Sequence, residues 1–164
     1  LVPVALAHDD RELGNRFVSL FVPMPRGALS PADRVRAARD AMKEARAHAG
    51  VSLGRVLVAG ASILGHRAER LAVGRLSRKA SLVASNLSGP PVPLHVGGRR
   101  ITDILFAAPA PGSIALSANA FSYEGKLRIT TATDTAVLPD PRRVAELVQE
   151  HARRIIASIM GPRT

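Results

Sequence analysis

The 164-residue sequence contains no cysteine. That excludes disulfides and thiolate metal sites, and it fits a reducing cytoplasm. Aromatic residues are only 3% of the chain and tryptophan is missing, so a core must be built from Val, Ile, Leu and Ala. The same scarcity removes the stacking platforms on which single-stranded nucleic acid is held. Lysine is rare: Lys43, Lys79 and Lys126 are the only three among 23 basic residues, a bias in the style of a GC-rich genome. Long hydrophobic runs are missing as well. The most apolar window, Val51 to Gly65, is interrupted by Arg55 and falls short of the roughly 20 residues a spanning helix needs. Leu1 to Ala7 is too short for a signal peptide and runs into His8-Asp9-Asp10. The five histidines, His8, His48, His66, His95 and His151, form no i, i+4 pair, which argues against a metal site.

What is present belongs to a folded domain. An apolar content of 46% is that of a globular chain, and the length allows one domain with a sizeable core. The formal net charge is +10. Such a surface attracts phosphate, on coenzyme A, anionic lipid or nucleic acid. The basic residues are spread along the chain and no zinc-finger or RNP motif occurs, so nucleic acid is not expected.

Periodicity predicts strands over 1–7 and 17–22, the second buried on both faces because its apolar run is nearly continuous. Ser30-Pro31-Ala32-Asp33 opens a helix with an N-cap, a first-turn proline and an acid at the positive dipole end. Val35, Ala38, Met42, Ala45 and Ala49 share one face of it, and Gly50 stops it. Residues 51–79 read as an interrupted helix, broken by Gly54, Gly60, Gly65 and Gly74. Short β segments are expected at 94–96 and 101–108. A hairpin about Glu124-Gly125 joins 113–123 to 126–133, with Ile114, Leu116, Ala118 and Ala120 predicted on the buried face. Asp140-Pro141 caps a last helix that turns Val144, Leu147, Val148, Ile155 and Ile159 to the core. This order predicts an α/β (α+β) fold, a mixed β-sheet covered by helices, in a single domain over 1–164.

The most informative stretch is 81–93. A strand-like run reaches Ser85-Asn86 and meets Gly89-Pro90-Pro91 and Pro93, through which no strand continues. Asn86 is therefore expected at a strand end, either bonding its own backbone in a turn or held rigidly and open on one side as a binding residue. Two catalytic motifs fail on inspection. Gly60-Ala61-Ser62-Ile63-Leu64 lacks the fifth-position glycine of a nucleophile elbow. His66 and Arg67 stand where a phosphate loop needs Lys and Ser/Thr.

The Ser85-Asn86-x-x-Gly89-Pro90 turn resembles the signature of the C-terminal domain of the bacterial wax ester synthase/diacylglycerol acyltransferase family. Leu13-Gly14-Asn15-Arg16 before Phe17 to Pro25, Leu116 to Leu127, and Asp134 with Val137-Leu138-Pro139-Asp140 are similar to that family in the same order. Leu87-Ser88 depart from its commoner Val-Pro or Val-Arg, and Ser117 stands where asparagine is common. The resemblance implies one lobe of the chloramphenicol-acetyltransferase-like two-lobed fold. It implies no cofactor, with acyl-CoA as co-substrate and diacylglycerol or a long-chain alcohol as acceptor. Asn86, Gly89 and Pro90, with Asn15 and Arg16 at the lobe junction, are the substrate-binding residues it points to; from the residues alone, Asn15-Arg16 is equally a turn with an exposed arginine. The family's catalytic His-His and downstream Asp-Gly are not in this chain, nor is the Asn-Asp dipeptide preceding this region. The chain therefore reads as the C-terminal, non-catalytic half, inactive alone and partnered by an N-terminal catalytic lobe. The implied location is cytoplasmic, with peripheral contact to the inner membrane face or lipid bodies. Two alternatives stay open: a non-catalytic lipid-surface or protein-binding module, and the equivalent lobe of a condensation-type or polyketide-associated acyltransferase.

Overall fold

Backbone hydrogen bonds of a parallel pair set the centre of the molecule, a computed structural model that describes residues 1–5, 17–48 and 66–160. Strands β1 (Val2–Ala5) and β2 (Phe17–Leu20) run antiparallel, with Val2 opposite Leu20. Helices α1 (Pro31–Ala47) and α2 (His66–Ser77) follow. Next come β3 (Val83–Ser88), the small hairpin β4 (His95–Val96) and β5 (Arg99–Arg100), and the long hairpin β6 (Leu116–Tyr123) and β7 (Lys126–Thr133). Helix α3 (Pro141–Met160) closes the described chain. In the main sheet β6 is central, parallel to β3 and antiparallel to β7. The Leu1 nitrogen donates to the Leu82 carbonyl and the Ala84 N–H to the Leu1 carbonyl, both at 2.8 Å. Those two bonds seat the separate β1–β2 pair against the free edge of β3, and the main sheet is mixed because β3–β6 is parallel and β6–β7 antiparallel.

The helix signals act as expected. The Ser30 hydroxyl accepts from the Asp33 N–H at 3.1 Å and donates to the Asp33 carboxylate at 2.6 Å, with Pro31 in the first turn. Asp140 Oδ1 accepts from the Arg143 N–H at 2.9 Å and starts α3. Helix α3 packs on β7, and α1 lies against α3. Neither helix fully buries a residue. Leu147 and Ile159, expected in the core, are exposed, whereas Val144, Val148 and Ile155 are half-buried. Ala38, Met42 and Ala45 are half-buried on α1, and Val35 is exposed. Within the interrupted 51–79 segment, 66–77 is helical; residues 51–65 lie outside the described residues.

The β6–β7 turn is of the two-residue kind that matches strand twist, with positive φ at both Glu124 (48°) and Gly125 (73°). A glutamate at positive φ is costly. Here the Glu124 N–H donates to the Pro90 carbonyl at 3.3 Å and its carboxylate takes Arg100 at 2.6 Å.

Three expectations fail on burial and pairing. Strand β2 is buried on one face only: Val18 and Leu20 are buried while Phe17 is 50% exposed. Residues 101–108 form no strand. Their carbonyls are used by side chains of the sheet, Ile101 accepting from Tyr123 Oη at 2.9 Å and Phe106 from Thr130 Oγ1. This segment covers the Ser117, Asn119, Phe121 and Tyr123 face of β6, so the buried face of the hairpin is that one. Of the residues predicted inside, Ile114 is buried, but Leu116, Ala118 and Ala120 are half-exposed. Strand alternation defines two faces, and it was the crossover connection that decided which is covered.

Tyr123 anchors that connection. Its hydroxyl accepts from the Leu94 N–H at 2.8 Å and donates to Ile101 at 2.9 Å, closing the base of the β4–β5 hairpin from below. Tyr123→Phe leaves two backbone groups without their partner, so urea unfolding is expected to show a loss of about 1–3 kcal/mol. A second tie is Arg128 Nε, 2.8 Å from both Asp103 carboxylate oxygens. The Arg128 hydrogen bond holds the Asp103 carboxyl below the usual carboxylate range. A folded-state value that is depressed contributes stability above the unfolded value and loses it as pH falls through the folded one. The melting-temperature advantage over Asp103→Asn is thus expected at neutral pH and shrinks below about pH 4.

Candidate functional site

Strand β3 carries Asn86 along β6 opposite Ala120, in register with Ile129 of β7. The strand does not end at Asn86: it runs on to Ser88. The extension follows from Gly89, whose N–H donates to the Ser122 carbonyl at 2.9 Å. A Cβ at Gly89 would lie 2.3 Å from that carbonyl oxygen and 2.5 Å from the Phe121 ring. Only glycine permits this approach. Pro90 then ends the ladder, and its carbonyl receives the Glu124 N–H. Both Gly89 and Pro90 are therefore structural staples that hold the end of β3 against the β6–β7 turn.

Asn86 is free of such duties. Its side chain is exposed and makes no hydrogen bond among the described residues, so the turn reading in which it bonds its own backbone does not hold. Alternation places it on one face with Ala84 and Ser88, beside Ala120 and the exposed Ile129 and Leu127. The arrangement is one amide, donor and acceptor together, on an open and mostly apolar floor. Such a group can orient a carbonyl or amide of a bound molecule. It supplies no general base.

Asn15 and Arg16, with Gly14, lie outside the described residues. Asp134 terminates β7: its carboxylate accepts from the Ala136 N–H at 2.9 Å and its carbonyl from Leu138 at 2.8 Å. His48 and His151 each set Nδ1 2.9 Å from a carbonyl of their own helix. No group of three metal-ligating side chains occurs among the described residues, and no helix among them is long and apolar enough to cross a membrane.

One polar residue was missed. Asn119 is 1% exposed on the covered face of β6, its Nδ2 donating to Ser117 Oγ at 3.3 Å. Its Oδ1 is buried without a partner among the described residues. The signal was available: Ser117 stands where asparagine was expected, and Asn119 places an amide two residues on, facing the same way.

A mixed sheet with a helical layer and a parallel β3–β6 pair gives this chain the fold of one lobe of the chloramphenicol-acetyltransferase-like type. The fold is similar to that of a wax ester synthase/diacylglycerol acyltransferase from Marinobacter aquaeolei, with a TM-score of 0.58 and 17% identity over 85% of this chain and 34% of that one. Proteins named as diacylglycerol O-acyltransferases from Mycobacterium tuberculosis and Mycobacterium bovis are 29% identical over 164 residues, 96% of this chain and 35% of theirs. The WS/DGAT C-terminal domain matches residues 13–156, and the chain belongs to that family. It spans about a third of the length of these relatives.

Gly89→Ala forces a Cβ into a backbone carbonyl and is expected to cost about 1–3 kcal/mol or more. Gly74, inside α2 with nothing within 4 Å of a built Cβ, is the contrast: Gly74→Ala should stabilise by about 1 kcal/mol. Denaturant midpoints of the two variants check both signs.

Proposed function

We propose that this chain is the C-terminal lobe of an acyl-CoA-dependent O-acyltransferase that esterifies diacylglycerol or a long-chain alcohol. The names of its relatives and its family support the reaction class. The observation that carries the role of this lobe is the exposed, unbonded Asn86 amide beside Ala120 and Ile129. In the reaction the acceptor hydroxyl oxygen attacks the thioester carbonyl, the new C–O bond forms, and the C–S bond breaks as coenzyme A leaves as a thiolate, which takes up the proton that the hydroxyl gives to the base. The hydroxyl proton passes to a general base, which this reading assigns to the N-terminal lobe, outside the chain.

Asn86 then belongs to the wall that faces that lobe across the substrate passage. Pinned by the Gly89 staple, its amide donates a hydrogen bond to a carbonyl or pantetheine oxygen at little ordering cost. The apolar surface around it lies along the hydrocarbon chains and keeps out water that would hydrolyse the thioester.

Asn86→Ala in the intact enzyme is expected to lower kcat/KM about 10- to 100-fold, the worth of one or two kcal/mol of transition-state binding. Because the side chain has no internal bond to lose, the melting temperature should not move. Steady-state kinetics beside a thermal melt make the check, and unchanged kcat/KM would overturn the assignment.

A further inference from the structure

Helix α2 is basic along one side. Arg67, Arg70, Leu71 and Gly74 recur at i, i+3, i+4 and i+7 and so share a face. Arg75 flanks that face, and Arg78 and Lys79 follow in the turn after the helix. All five of these cations are exposed, and none makes an ion pair among the described residues. The same spacing puts position 69, the one acidic position of α2, outside this face. Leu71 is 63% exposed in its middle, and nothing lies within 4 Å of a Cβ built at Gly74.

Another side of the helix is fastened to the sheet. Ser77 is buried, its hydroxyl lies 3.2 Å from Ser113 Oγ, and the Ser113 N–H donates to it at 3.3 Å. Gly112 closes against the same hydroxyl, since a Cβ there would lie 2.4 Å from Ser77 Oγ. These contacts tie α2 to the segment before β6 and keep the arginine face turned outward. The clustering has a cost within the chain. Arg67 and Arg70, and again Arg75 and Arg78, are like charges three residues apart, a spacing at which they repel. An anion outside the chain turns that cost into binding energy.

We infer that the Arg67, Arg70, Leu71 and Arg75 side of α2 docks on an anionic lipid surface. Arg67 and Arg75 are eight residues apart, roughly 12 Å along the helix axis. One small anion meets only one or two cations over that distance, whereas a plane of lipid phosphates meets them all. Each cation near such a surface adds to the attraction, and the arginine stems let Leu71 reach the edge of the acyl region. A protein partner is the poorer fit: its interface needs a buried aromatic or aliphatic anchor cluster, and this face offers one leucine. The inference stands apart from the acyl-transfer reading, because Asn86 lies on β3 and takes no part in this face.

The test is co-sedimentation of the intact protein with vesicles of phosphatidylcholine, with and without phosphatidylglycerol. Binding is expected to require phosphatidylglycerol and to fall as salt is raised, because screening weakens an electrostatic contact. The triple change Arg67→Gln, Arg70→Gln and Arg75→Gln should weaken binding at least about 10-fold. Lysine at the same three positions keeps the charge and should keep most of the binding. Arg36→Gln, Arg39→Gln and Lys43→Gln on α1 remove the same charge elsewhere and should bind close to wild type. Asn86→Ala should bind as wild type does, which separates this result from any failure of the catalytic reading. All the changed positions are exposed, so a lowered thermal melt identifies a variant that misfolds, and the lysine variant then carries the comparison. Three outcomes would overturn the assignment. One is binding indifferent to phosphatidylglycerol or to salt. Another is an equal loss in both triple glutamine variants, which would mean attraction by net charge alone. The third is capture by immobilised polyglutamate with none by vesicles, which would name an acidic protein instead.

Discussion

The 2.9 Å bond from the Gly89 N–H to the Ser122 carbonyl is the constraint on which the rest of this lobe depends. It forms only because residue 89 has no side chain, since a Cβ there would overlap both the carbonyl and the Phe121 ring. With the bond made, β3 stays parallel to β6 through Ser88, and Pro90 can hand its carbonyl to Glu124. That last contact helps hold the β6–β7 turn, whose Glu124 adopts a φ that few residues accept. Asn86 inherits its position from this chain of contacts without contributing to it, as expected of a residue kept for binding.

The covered face of the sheet is held by directed bonds as much as by apolar burial. Ser85, Ser117, Asn119 and Tyr123 are buried there, and the long crossover from β3 to β6 is tied down by Tyr123, Thr130 and Arg128. A chain with so few aromatics has limited means of anchoring a connection of this length by contact area alone. Hydrogen bonds from the sheet to crossover carbonyls satisfy groups that would otherwise be costly to bury. The opposite face is left with half-exposed alanines and exposed Leu127 and Ile129, and it bears the Asn86 amide.

Much of the local structure was legible. Ser30-Pro31-x-Asp33 and Asp140-Pro141 started helices where written, because caps and first-turn prolines act within a few residues of themselves. Glu124-Gly125 made the hairpin turn, and Gly89-Pro90 marked the end of β3 to within two residues. Less legible were the extent of β3, the absence of a strand at 101–108 and the exposure of Leu147 and Ile159. Each depends on a partner distant in sequence: the Ser122 carbonyl, the Tyr123 and Thr130 hydroxyls, and the number of layers over a helix.

By itself the sequence determined the helix starts, the hairpin turn, the order of the main elements, the family and the glycine that the turn requires, since these rest on short-range sterics and on residue spacing. Which face of β6 is covered and whether Asn86 bonds its own backbone were decided by the tertiary structure. The physical reason is the same for both. Alternation along a strand yields two chemically similar faces, and only the path of the connecting segment across one of them, fixed by long-range hydrogen bonds, makes them different.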